Sequence, residues 1–143
     1  MIPIKELTVG SWVYDGDKTQ FPMYVCSVMH DGYVTLDFKG NEGMPWDSNA
    51  KDLEGIPLTD TLMKELGFTF KDGLWRKKEK KREVIIGLSR EFVFIEAFDN
   101  KYLDSRGWCH GIKYLHQVQN LFRCIAKEEF EISKKYNFIL NGS

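Results

Sequence analysis

The chain has little cysteine, no surplus of either charge and no long apolar run. Its three cysteines, Cys26, Cys109 and Cys124, are odd in number and lack close pairing. That excludes a disulfide scaffold and fits a reducing cytoplasm. The 20 Lys and Arg stand against 21 Asp and Glu, a net charge of −1. Near-neutrality argues against a coat protein for nucleic acid and leaves room only for a local basic patch. No stretch approaches the ~20 apolar residues of a membrane span. The opening Met-Ile-Pro-Ile-Lys-Glu-Leu has no basic region and no apolar core, so no signal peptide is expected. Internal repeats and low-complexity segments are missing. So are the glycine-rich phosphate motifs, with neither Gly-x-Gly-x-x-Gly nor Gly-Lys-Ser/Thr present.

Candidate ligands and nucleophiles are equally sparse. Cys26 and His30 would share a strand face about 13 Å apart, too far for one metal. Cys109, His110 and His116 lack the second cysteine of a zinc cluster. Cys109 beside His110 is not thereby an activated thiol, because sequence neighbours do not bring their side chains together. Asp47, Asp52 and Glu54 around Trp46 come nearest to a carboxylate pair and read first as a solvated acidic loop. No catalytic residue, metal or cofactor is expected, and nothing points to an enzyme.

What is present is a foldable core. The 143 residues are 43% apolar and 14% aromatic, with four Trp. One domain is the default, with sub-lobes over 1–55 and 56–143. A chain of this size buries roughly 68–70% of its unfolded surface without metal or disulfide. Aromatic residues favour strands.

The strand pattern begins at Ser11-Trp12-Val13-Tyr14. Met23 to Met29 and Tyr33 to Phe38 alternate around Asp31-Gly32, a hairpin signal. This meander of three strands is similar to SH3-like barrels that open with Gly-x-Trp-Val. Lys39 to Leu53 reads as a loop, with Met44-Pro45-Trp46 either a plug or an exposed contact. Thr59 as N-cap and Gly67 as stop bracket a short helix over Asp60 to Leu66. Asp72-Gly73 is a second hairpin signal. Val84 to Leu88 is apolar. In Phe92 to Phe98, Phe92, Phe94, Glu96 and Phe98 share one face while Val93, Ile95 and Ala97 share the other, which marks a central strand. Lys101 to Gly111 reads mostly as loop, and Tyr136 to Leu140 as a last strand.

The clearest element is a helix over Tyr114 to Lys127. Tyr114, Leu115, Val118, Leu121, Phe122, Ile125 and Ala126 form one apolar stripe at about 100° per residue. Glu129 would fall inside that stripe, so the helix ends near Lys127 or Glu128, and the charge of Lys127 suits the C-terminal dipole. The spacing predicts an α+β fold, with the long helix packed on an antiparallel sheet of roughly six or seven strands.

Three segments carry a resemblance: Leu7 to Val13, Ile56 to Phe68, and Ile112 to Phe122, the last containing His-Gln-Val-Gln-Asn-Leu. In this order they resemble a family of small uncharacterised proteins of gut bacteria, their phages and mobile elements. That family usually has a Gly before paired Glu residues, where this chain has Lys127 before Glu128 and Glu129. The resemblance implies a bacterial cytoplasm or a phage setting and carries no activity.

Two surfaces are candidates. His116, Gln119, Asn120 and Arg123 share a helix face without a carboxylate, which suits an acidic or hydrogen-bonding protein partner. The run Arg76-Lys77-Lys78-Glu79-Lys80-Lys81-Arg82, with Trp75 beside it, could contact phosphates and stack a base; the bland alternative is a solvated hairpin tip. The leading expectation is a non-enzymatic cytoplasmic binding or adaptor protein of a phage or mobile element, with a protein partner. A nucleic-acid-binding accessory protein is second, and an enzyme of unrecognised type third.

Overall fold

Aromatic and β-branched runs, punctuated by Gly and Asp turns, fold this chain into two antiparallel sheets of five strands each. The computed structural model describes residues 1–16, 21–38, 40–99, 102–130 and 132. Its contacts divide the chain into two compact units, with the break in sequence between Pro57 and Leu58. Two five-stranded sheets replace the single larger sheet expected from the sequence.

The first unit holds β1 (Trp12–Tyr14), β2 (Pro22–Val28), β3 (Tyr33–Asp37), β4 (Trp46–Asn49) and β5 (Glu54–Gly55). They lie in the order β4-β3-β2-β1-β5. Val13, Met23, Val25, Val34 and Leu36 pack with Ile2, Leu7, Ala50 and Leu53 as the core. Among the described residues no pairing joins β4 to β5, so the sheet is open and not a closed barrel. Part of the expected loop is β4. Trp46-Asp47-Ser48-Asn49 has few strand formers, but it pairs residue by residue with Leu36 to Tyr33, and pairing overrides weak propensity. The loop between β3 and β4 is organised by the buried Asp37. Its carboxylate accepts the N–H groups of Phe38 at 2.8 Å and Gly43 at 3.0 Å and the amide of Asn41 at 3.1 Å. Three donors compensate a charge removed from water.

The second unit begins with α1 (Asp60–Glu65). Thr59 caps it as the sequence predicts, its Oγ1 accepting the Leu62 N–H at 3.1 Å. Gly67 follows at φ +88°. Then come β6 (Thr69–Lys71), β7 (Leu74–Glu79), β8 (Arg82–Gly87), β9 (Phe92–Asp99) and β10 (Tyr102–Cys109), in the order β10-β9-β8-β7-β6. Asp72 and Gly73 turn β6 into β7 with φ of +55° and +80°, the left-handed pair that a tight hairpin needs. β10 occupies the segment expected as loop. Its Asp104, Ser105, Arg106 and Gly107 are poor strand formers, and the partner that decides the matter, β9, lies outside any local window.

This sheet has two unlike faces. Val84, Ile86, Val93, Ile95 and Ala97 on one face are buried. Both helices of the unit lie on that side. The long helix α2 (Leu115–Ala126) sits inside the predicted span. It approaches so closely that a Cβ on Gly107 would stand 2.3 Å from Ile125 Cδ1. Ser105 Oγ donates to the Ile125 carbonyl at 2.7 Å. Leu115, Val118, Phe122 and Ala126 are buried on the sheet. Lys127 ends the helix in the left-handed conformation at φ +56°. Phe130 then turns back, and its ring lies 5.3 Å from Phe122 and 6.2 Å from Phe68. The expected strand Tyr136 to Leu140 lies outside the described residues. Among the described residues no helix is long and apolar enough to cross a membrane.

Two outcomes follow. Lys127 holds a conformation that glycine adopts at no steric cost. Lys127→Gly should therefore raise stability by about 0.5–1 kcal/mol in urea unfolding; an unchanged or lower midpoint would show that the lysine side chain matters more than its backbone. Gly107→Val should cost about 1–3 kcal/mol by overpacking against Ile125. Adding Ile125→Ala should recover part of that loss, whereas additive losses would mean that the two sites do not touch.

Candidate interaction surfaces

The helix face singled out by the sequence is largely used within the protein. His116 and Gln119 are 1% and 2% exposed. The His116 ring stacks on Tyr114 at 5.9 Å. Arg123 makes a two-pronged ion pair with Glu129, Nε to Oε1 at 2.7 Å and Nη2 to Oε2 at 2.8 Å, and also donates to Asn120 Oδ1 at 3.3 Å. The expected face of His116, Gln119, Asn120 and Arg123 is thus not an open recognition surface. A helical wheel sorts residues by polarity, and polarity alone does not decide whether a side chain is buried. The pair Arg123–Glu129 raises the pKa of the first and holds the second below the usual carboxylate range, in both cases chiefly through the hydrogen bonds between them.

The basic hairpin divides by strand alternation. Trp75, Lys77 and Glu79 point to the helix side of β7. Trp75 is 5% exposed, packs on Phe70 at 4.9 Å and donates from Nε1 to Asp60 at 3.1 Å, so it is not open to stack a base. Lys77 Nζ donates to the Leu66 carbonyl at 2.7 Å, pairs with Glu79 at 3.1 Å and lies over the Phe130 ring. Arg82 donates to the carbonyls of Phe98 at 3.3 Å and Ala126 at 3.5 Å and pairs with Glu128 at 3.2 Å. It neutralises the C-terminal end of α2, where carbonyls lack helical partners. Trp75, Lys77 and Arg82 are therefore structural, a correction to the seven-residue phosphate surface. Arg76, Lys78, Lys80 and Lys81 remain exposed. Lys80, Lys81 and Arg82 line a cleft of about 370 Å³, and Asp104 and Glu128 on its wall offset most of their charge.

The exposed surface that the sequence reading missed is the other face of the second sheet. Register places Arg76, Ile85, Phe94 and Trp108 in one row across β7 to β10. The next row is Lys78, Glu83, Glu96 and Arg106. Trp108 is 62% exposed. Its ring lies 6.2 Å from Phe92 and 5.6 Å from His110, which is itself 5.1 Å from Phe92. Ile85, Phe92 and Phe94 are half-buried. Among the described residues of this unit nothing packs over them. The alternation of Asp104, Arg106 and Trp108 was the available signal, hidden by the strand-poor composition of the segment. Apolar side chains of both sorts on β9 do mark the central strand that the sequence predicts.

The first unit offers a smaller patch. Phe38 lies 5.5 Å from Trp46 and 5.7 Å from Phe21. Trp46, Phe21 and Met44 are exposed, so Met44-Pro45-Trp46 is not a plug. Cys124 is exposed and Cys26 and Cys109 are half-buried. Among the described residues no group of three His, Cys, Asp or Glu could hold a metal.

The Glu129 pairing sets a pH dependence. Its folded pKa lies below the ordinary 4.5, so its contribution is complete above that value and lost as pH falls through the lower folded value. Native protein should show an acid-side loss of urea midpoint that Glu129→Gln flattens. Identical acid limbs would mean that the exposed pair adds nothing measurable.

No family model, no curated protein and no solved structure matches this chain.

Proposed function

We propose that this chain is a non-enzymatic binding module that contacts another protein through the open face of its second sheet. The observation that carries this reading is Trp108, exposed at the edge of an aromatic and aliphatic row on a face that no described element of the unit covers. Contiguous exposed apolar groups mark contact sites. Trp, flanked by Arg, is the residue most enriched where binding energy concentrates. A bacterial or phage setting, implied by the resemblance, belongs to the same proposal.

Nucleic acid is the second reading. Lys71, Arg76, Lys78 and Arg106 share the face with Trp108, and an aromatic on a basic sheet can stack bases. Glu83 and Glu96 sit in the middle of the same face and would repel a phosphate chain. The mixed signs favour a protein surface.

The test selects displayed short random peptides on the full chain and on Trp108→Ser, alongside anisotropy with labelled single-stranded DNA and RNA at low and physiological salt. Peptides retained by the native chain and lost on Trp108→Ser are the expected result. Oligonucleotide binding with a steep salt slope, abolished by Arg76→Glu and Lys78→Glu, would replace the protein reading by the nucleic-acid one. Peptides indifferent to Trp108 would remove this face from consideration.

A further inference from the structure

Glu83 and Glu96 stand directly opposite each other on β8 and β9, the second and third of four consecutive strands. Side chains so placed have Cβ atoms about 4.5–5.5 Å apart, and like charges there repel. Both side chains are half-buried, so water screens them only in part. The cations at either end of the row do not relieve them. Lys78 is opposite Glu83 and Arg106 opposite Glu96, yet among the described residues none of the four forms an ion pair or side-chain hydrogen bond. The row therefore reads plus, minus, minus, plus, immediately beside the apolar row of Ile85, Phe94 and Trp108.

Resting on the protein-binding reading, we propose that the partner places an arginine between Glu83 and Glu96. The complement of this row is a cation at its centre. A second copy of the same face, set in register on the row, does not supply it. A two-fold axis along or across the row lays each charge on its own like, since the row is the same in both directions. A metal ion is a poor fit, because only two carboxylates converge and no third ligand stands by. A basic side chain fits in shape as well as charge. Its aliphatic stem can lie along Ile85 and Phe94 while the head reaches the carboxylates. Arginine suits better than lysine, because its planar fork donates to two carboxylates at once and its face packs against aromatic rings. The partner segment thus carries an arginine next to apolar residues that rest on the Phe94–Trp108 end.

The experiment extends the peptide selection to a Glu83→Gln, Glu96→Gln double variant and reads the composition of the retained peptides. Native protein should enrich arginine over lysine beside apolar residues. The double variant should lose that enrichment, and it should bind the best native-selected peptide about tenfold or more weakly. Its thermal midpoint should be no lower than that of the native chain, since repulsion has been removed, and this separates lost binding from lost folding. Retained peptides that need Trp108 but show no basic preference would overturn the arginine inference while leaving the protein-binding reading in place. Enrichment of acidic residues would overturn it in favour of contacts to Lys78 and Arg106. Retained peptides that ignore both Trp108 and the glutamates would overturn both proposals.

Discussion

The close seat of the long helix at Gly107 decides the architecture of the second unit. The end of the Ile125 side chain occupies the space that a Cβ on Gly107 would take, so a larger residue there would have to turn that side chain aside. The short distance lets α2 bury Leu115, Val118 and Phe122 against Val93 and Ile95. It also ties Ser105 to the helix backbone. Close packing of this kind is where most helical stability arises in a folded protein. It has a geometric consequence. A five-stranded sheet has two faces, and both helices of the unit are on one of them. Neither helix of the unit lies on the opposite face, where Trp108 is exposed and Phe92 and Phe94 are half-buried.

Two of the six cations in the basic run, Lys77 and Arg82, are part of this packing. Arg82 joins the strand β9 carbonyl of Phe98 to the last carbonyls of α2 and to Glu128. Lys77 bridges the end of α1 to Glu79 and lies over Phe130. Each leaves its place in a basic run because a strand turns alternate residues to opposite sides. The charge run therefore carries two unrelated jobs. Its odd-numbered lysine on β7 and the first residue of β8 hold the helix side together, while Arg76 and Lys78 belong to the open face.

Local signals were legible where local chemistry decides the backbone. Thr59 caps a helix, Asp72-Gly73 makes a hairpin, and the 3.6-residue stripe from Leu115 to Ala126 is a helix, because each outcome is set within a few residues. The end of α2 was readable from Glu129, which would fall inside the apolar stripe if the helix ran on, and the chain leaves the helix at Lys127 with φ +56°. Two strands were not legible. Trp46 to Asn49 and Tyr102 to Cys109 become strands through pairing with β3 and β9, and neither has the composition to announce it. With 101–111 taken for loop, Trp108 had no neighbours, and the row that joins it to Phe94, Ile85 and Arg76 did not exist. The polar helix face drew attention instead, although His116 and Gln119 are buried. Polarity tells which groups need partners and not whether those partners are water.

The open face combines two kinds of group with different consequences. Half-buried Ile85 and Phe94 and the exposed Trp108 can supply affinity by leaving water, with no preference among apolar partners. The charged row beside them supplies discrimination. Unpaired Glu83 and Glu96 would leave a partner that brings an apolar or acidic group over them with desolvated, uncompensated charge, and such penalties separate partners more sharply than attractive contacts do. A sheet face that was only aromatic would be prone to self-association. The charges laid across this one would repel a second copy set in register on the row.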